Sequence, residues 1–108
     1  MVASDKAGLS APRRALVELV QERNFGRVEH LPVRGGEPVL DPPPRVVREV
    51  KLGGENDPRP ERALANFRLK RQWVELFELF DAVGDGTVDV LEFKNGLPFK
   101  ALVADPAR

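Results

Sequence analysis

Four carboxylates follow one another at short, regular spacings late in the sequence. Asp81, Asp85, Asp89 and Glu92 are four, four and three residues apart, and Gly86 follows the second of them. Carboxylate oxygens are ligands that Ca²⁺ prefers, and a glycine within such a series allows the chain to turn sharply around one ion. The residue types and their spacing therefore indicate a candidate cation site.

Residues 81–92 resemble the twelve-residue calcium loop of an EF-hand. Val83 occupies the third loop position, where an oxygen ligand is expected, and Asn95-Gly96 follows where the second helix should continue. Asn-Gly is the preferred pair for a two-residue hairpin turn. The sequence therefore favours a helix, a turn and a hairpin here, with a degenerate calcium site as the alternative. The EF-hand resemblance implies these ligands: Asp81, Asp85, Thr87, Asp89 and Glu92.

The sequence contains few side chains that are candidates for catalysis. His30 is the sole histidine and there is no cysteine, so a thiolate or multi-histidine metal site is not expected. His30 could act as a general base, but no serine or threonine nearby forms an obvious nucleophile–base pair. We therefore expect no enzymatic activity and no cofactor.

Basic side chains are frequent in the first half of the chain and could line one surface. Seventeen Lys and Arg residues balance seventeen Asp and Glu residues overall, which argues against a protein that mainly grips a phosphate backbone. These basic residues could bind an acidic partner or a nucleic acid, or they could form an ordinary solvated face. The full basic set is Arg13, Arg14, Arg23, Arg27, Arg34, Arg45, Arg48 and Lys51. The candidate partner-binding residues are Arg27, Arg34, Arg45, Arg48 and Lys51.

Residues 13–39 and 73–99 read as two copies of one unit, offset by sixty positions without a gap. A fixed offset of this kind indicates that one supersecondary unit is used twice. The identical pairs are Leu16/Leu76, Glu18/Glu78, Leu19/Leu79, Gly26/Gly86, Val28/Val88, Leu31/Leu91, Gly36/Gly96 and Pro38/Pro98.

Local signals place helices and strands in each copy. Ser10 is a candidate helix cap, Gly35-Gly36 and Asn95-Gly96 are hairpin turns, and the prolines of 41–44 interrupt the first return strand. The predicted elements are a helix over 11–23, strands over 27–33, 37–40 and 45–52, a helix over 61–83, and strands over 87–94 and 97–103. A bulge or an edge position at Pro32 would absorb the irregular alternation of the first strand.

These elements predict a single α+β domain over 1–108. A duplicated α-β-β unit forms an antiparallel four- to five-stranded sheet with two helices packed on one face. The expected parts are a flexible N-terminus at 1–9, a first unit with an extra strand at 10–52, a linker at 53–60 and a second unit at 61–104.

The segments 24–29 and 33–39 resemble the YezD-like small bacterial proteins, which have a short helix, an aromatic-glycine-x-valine strand and a tight hairpin. Gly86-Thr87-Val88 and Lys94-Asn95-Gly96 carry the same likeness into the second copy. The resemblance implies a bacterial tandem duplication of such a unit. Because that family has no known activity, it implies a fold and no catalytic residues.

The sequence leads us to expect a non-catalytic interaction module. A protein partner or a second copy would bind an exposed sheet edge or sheet face, and the edge strand near Pro42–Leu52 is the candidate surface. The first residues lack a secretory apolar region, and no run is long enough to span a bilayer, so a cytoplasmic location without membrane contact is expected. Nucleic-acid binding and calcium binding are the alternatives.

Overall fold

The computed structural model describes residues 3–104. Two helices of thirteen residues, α1 (Ala11–Arg23) and α2 (Arg71–Val83), pack on an antiparallel sheet. The strands are β1 (Gly26–Arg34), β2 (Glu37–Pro38), β3 (Arg45–Arg48), β4 (Gly86–Lys94) and β5 (Leu97–Val103). The predicted α+β fold, with two helices on a five-stranded antiparallel sheet, is confirmed. Within 3–104, neither helix is long and apolar enough to cross a bilayer.

The long strands β1 and β4 form the centre of the sheet. The strand order is β2-β1-β4-β5, and β3 pairs with the same side of β1 as β2 does. Val28 lies opposite Leu91 and Leu31 lies opposite Val88. A shift of sixty positions exchanges these two pairs, so the central register has the symmetry that the repeat predicts. Whether one ancestral unit was duplicated stays a prediction.

The core lies between the helices and one face of the sheet. The alternation of inward side chains is broken at His30, whose φ is 54°, and this lets both Val28 and Leu31 face inward. The irregularity is therefore two residues before the predicted bulge at Pro32. The fully buried core side chains include Leu16, Val17, Val20, Val28, Leu31, Val33, Trp73, Phe77, Phe80, Val88 and Leu91.

Both hairpins turn through two residues with positive φ. Gly35 and Gly36 have φ of 57° and 77°, and Asn95 and Gly96 have φ of 56° and 70°. Two successive left-handed residues form the type I′ turn, which matches the twist of paired strands. Both predicted turns are confirmed, as is the cap of α1, where the Ser10 hydroxyl accepts from the Arg13 amide at 3.3 Å.

Three predicted segments differ in extent. The helix predicted from Glu61 is wrong at its start: Pro60–Ala63 forms a short 3₁₀ turn, and α2 begins only at Arg71. Strand β3 ends at Arg48, four residues before its predicted end, and β2 ends at Pro38 instead of residue 40. The last difference is explained by Pro32 on β1: the Val39 amide donates to the Pro32 carbonyl at 2.8 Å, but Pro32 has no amide to return the bond, so the ladder stops at Pro38.

The N-terminal segment, expected to be flexible, makes defined contacts from Ser4 to Leu9. The Lys6 amide donates to the Phe67 carbonyl at 2.9 Å, and the Leu69 amide donates to the Ser4 carbonyl at 2.8 Å. Lys6 is almost fully buried, and its Nζ donates to the Leu64 carbonyl at 2.6 Å. The backbone groups of Leu64, Phe67 and Leu69 thus bond to the N-terminal segment instead of to a helical turn, which delays the start of α2.

Candidate functional site

The predicted arginine surface is divided by the structure. Arg27 on β1 and Arg45 on β3 both contact Glu29, with Nε to carboxylate oxygen distances of 2.7 and 3.0 Å. Because Val28 faces the core, its neighbours Arg27 and Glu29 lie on the opposite, helix-free face of the sheet. The hydrogen bond from Arg27, together with the charges of Arg27 and Arg45, holds the pKa of Glu29 below its ordinary value despite partial desolvation.

The remaining predicted basic residues lie elsewhere. Arg34 is seven residues along β1 from Arg27, roughly 23 Å away at the usual rise of an extended strand. Its guanidinium donates to the Val33 and Gly86 carbonyls at 2.9 and 3.1 Å. Arg48 ends β3, and the Lys51 Nζ lies 4.0 Å above the Phe25 ring. These residues do not form one continuous cationic track, and nucleic-acid binding stays a prediction.

The predicted calcium ligands lie on three different kinds of structure. Asp81 is in α2, Asp85 is in the turn that follows, and the other three are on β4. Within β4, Thr87 and Glu92 are five residues apart, about 16 Å along an extended strand. Strand β4 and the hairpin turn stand where an EF-hand has its second helix. Among residues 3–104, no group of three or more acidic or histidine side chains is placed to hold a metal ion. Calcium binding itself stays a prediction.

Two of these carboxylates instead hold the β1–β2 turn. Asp81 Oδ1 accepts from Arg13 Nη2 at 2.6 Å, and the same Nη2 also lies 2.9 Å from the Gly36 carbonyl. Asp85 Oδ1 accepts from the Gly35 amide at 2.8 Å. The guanidinium of Arg13 is largely buried and stacks 5.1 Å from the Phe77 ring centre. The sequence does not predict this role, because Arg13 lies in α1 and Asp81 lies in α2, 68 positions later.

The two edges of the sheet differ in the length of continuous strand that each offers. One edge consists of β2 and β3, separated by residues 39–44, so it offers only short stretches of backbone. The predicted surface at Pro42–Leu52 belongs to this interrupted edge. The other edge is β5, seven continuous residues that pair with β4 on one side and with no described strand on the other. Long, apolar edge strands are templates for pairing with another chain.

Strand β5 also carries exposed apolar side chains. Phe99 is 57% exposed and Leu102 is 48% exposed. Beside the strand, a depression of about 240 Å³ lies between β5 and α2, lined in part by Leu76, Leu79 and Phe99. A second depression of about 250 Å³, on the helix-free face, is lined in part by Val47 and again by Phe99. The first recess therefore flanks the β5 edge beside α2, whereas the second lies over β1, β3 and β4 and reaches β5 only at Phe99.

Comparison with known proteins finds no match among family models, curated proteins or solved structures. The YezD-like resemblance consequently stays a prediction, and the proposed function is based on the geometry of the structure.

Proposed function

We propose that this protein is a non-catalytic interaction module that associates through the free edge of β5. The observation that carries the proposal is a seven-residue edge strand that, among residues 3–104, pairs on one side only and exposes Phe99 and Leu102. In strand addition, main-chain hydrogen bonds supply affinity and flanking pockets select side chains. Here the depression between β5 and α2 supplies such a pocket.

The proposed occupant is the β5 edge of a second copy. Twofold interfaces place the same surface patch of both copies in contact. Phe99 lies on β5 beside the depression between β5 and α2, which both polar and apolar side chains line. One antiparallel pairing of two copies would therefore bring each Phe99 towards the depression of the other copy. Glu92, which lies 3.1 Å from Lys100 across the strands, neutralises the one lysine within β5.

Sedimentation of the double variant Phe99→Lys/Leu102→Lys tests this proposal. We expect the unmodified chain to form a dimer in the micromolar range and the variant to be monomeric, because two lysines would repel their copies across the interface. Both side chains are about half exposed, so the monomer should keep its circular dichroism spectrum and melting temperature.

The matched control is Val50→Lys/Leu52→Lys, which adds the same charge after β3, where side-chain exposures are 49% and 95%. This control should remain dimeric. Sedimentation of the unmodified chain as a monomer at every concentration would overturn the proposal. Dissociation of the control in place of the β5 variant would also overturn it and would move the interface to the Pro42–Leu52 edge.

A further inference from the structure

A cavity of about 250 Å³ lies where the β4–β5 turn meets the end of α1 and the start of α2. This volume is just below the ~300–1,000 Å³ typical of ligand clefts. Its apolar surface comes from Phe67, Trp73 and Leu97. We call it the turn pocket, and its full lining is Gln21, Arg59, Glu61, Phe67, Arg68, Lys70, Trp73, Asn95, Gly96 and Leu97.

Two side chains that line the turn pocket carry buried polar atoms without a partner. Trp73 is fully buried, and its indole Nε1 makes no hydrogen bond within residues 3–104. Gln21 is 4% exposed, and its Oε1 accepts no hydrogen bond from the same residues. Buried polar atoms usually pair with a protein group or with water, so this donor and this acceptor leave hydrogen-bonding capacity at the pocket for a water molecule or a ligand.

The opposite end of the molecule has the same backbone contact. The Gly96 amide donates to the Asn24 carbonyl at 2.9 Å, and sixty positions away the Gly36 amide donates to the Gly84 carbonyl at 2.8 Å. The two turns thus rest on the ends of the two helices in equivalent ways.

The side chains at the two ends are not equivalent. The positions of Trp73 and Gln21 correspond, at the offset of sixty, to Arg13 and Asp81. Arg13 Nη2 lies 2.6 Å from Asp81 and also donates to the turn, although the buried Arg13 Nε has no hydrogen-bond partner among residues 3–104. An ion pair therefore occupies one end of the molecule, whereas the other end has an apolar pocket.

The rim of the turn pocket is cationic. Arg59, Arg68 and Lys70 face a single acidic group, Glu61, which Arg59 contacts at 3.3 Å. Among residues 3–104, Arg68 and Lys70 form no ion pair, and both are exposed. An anionic group entering the pocket would therefore meet two unneutralised positive charges.

We propose that the turn pocket binds a small aromatic carboxylate. Its ring would lie against Trp73 and Phe67, its carboxylate would contact Arg68 and Lys70, and a ring hydroxyl or amine would donate to Gln21. The indole nitrogen and the amide oxygen are covered in the free chain, so a ligand reaches them only after side chains at the pocket rim move, as surface side chains do rapidly.

Titration with 4-hydroxybenzoate, followed by Trp73 emission and by calorimetry, tests the proposal. Trp73 is the sole tryptophan and there is no tyrosine, so its emission reports this pocket alone. We expect saturable binding, weakened at least about tenfold for the neutral 4-hydroxybenzyl alcohol and for the variant Arg68→Glu/Lys70→Glu. Gln21→Leu should weaken 4-hydroxybenzoate more than benzoate, which lacks the donor.

The matched control, Arg45→Glu/Arg48→Glu on β3, makes the same charge change away from the pocket and should bind as the unmodified chain does. A flat titration would mean that water alone serves the two buried atoms and would overturn the proposal. Equal binding of the neutral alcohol, or equal loss in the β3 control, would overturn it as well. All these variants keep Phe99 and Leu102, so association through β5 is a separate readout.

Discussion

Glu29 is the charged centre of the helix-free face of the sheet. It accepts from Arg27 at 2.7 Å and lies 3.0 Å from Arg45, so one carboxylate engages two of the five basic residues predicted to bind a partner. The sequence shows the alternation of arginine and glutamate but not which side chains meet. The pairing of β1 with β3 is what places Arg45 beside Glu29.

The lowered pKa of Glu29 predicts a specific loss of stability in acid. The folded-state pKa lies below the ordinary value of 4.5, chiefly because Arg27 donates a hydrogen bond to the carboxylate. The folded chain therefore binds fewer protons than the unfolded chain in this window, so the stabilisation is present above pH 4.5 and is lost as pH falls through the folded pKa.

Urea unfolding between pH 6 and pH 3 measures this effect. Glu29→Gln removes the titrating group, so its free energy of unfolding should fall less steeply below about pH 4.5 than that of the unmodified chain. Arg27→Gln removes the principal cause of the shift and should flatten the profile in the same direction. Parallel profiles for all three proteins would contradict the assignment.

The elements that the sequence predicts correctly are those with local signals. The cap at Ser10 and the turn at Asn95-Gly96 each depend on residues within a few positions, and both are present. The wrong helix start at Glu61 has the opposite cause. Residues 64–69 bond to the segment around Ser4 and Lys6, more than fifty positions away, and no periodicity in 61–83 reports that contact.

Lys6 is the side chain that fastens the N-terminal segment. Its Nζ lies 2.9 Å from Glu18 and 2.6 Å from the Leu64 carbonyl, linking α1 to the extended segment before α2. Lys6→Met keeps most of the stem but removes the ammonium group. We expect a loss of about 1–3 kcal/mol in the free energy of unfolding, since the Leu64 carbonyl loses its short hydrogen bond from the Lys6 ammonium.

Hydrogen exchange gives a local readout of the same change. The Leu69 amide, which donates to the Ser4 carbonyl, should exchange faster in Lys6→Met. Lys94→Met, at an exposed position on β4, is the control. Its free energy of unfolding should lie within about 0.5 kcal/mol of that of the unmodified chain, and its Leu69 amide should exchange at an unchanged rate. Unchanged exchange at Leu69 would show that the segment is held without Lys6.

At the scale of the whole molecule, the order of the strands decides which surface is open. The sequence predicts an edge near Pro42–Leu52 because prolines commonly lie at edges. The same prolines break that edge into the short strands β2 and β3, whereas β5 is continuous. The pattern of residues 97–103 predicts the strand, but only the pairing order shows that none of the other strands within residues 3–104 pairs with its second side.

The turn pocket also emerges only from the whole molecule. Trp73 stacks on Phe77 in α2 and is fully buried, so taken alone it has the features of an ordinary core side chain. Gln21 and the β4–β5 turn come from distant parts of the chain. Only the tertiary structure shows that these groups meet, and that among residues 3–104 no ion pair like Arg13–Asp81 joins them.

A cysteine scan along β5 tests the proposed association most directly, because the natural chain has no cysteine. Disulfides need Cα atoms about 4.4–6.8 Å apart, so across a twofold antiparallel pair only one position, or two adjacent ones, can cross-link efficiently. We predict such a sharp maximum for single cysteines placed from 99 to 103 and none from 45 to 48. Uniformly weak cross-linking along β5, or a maximum on β3, would contradict the proposed interface.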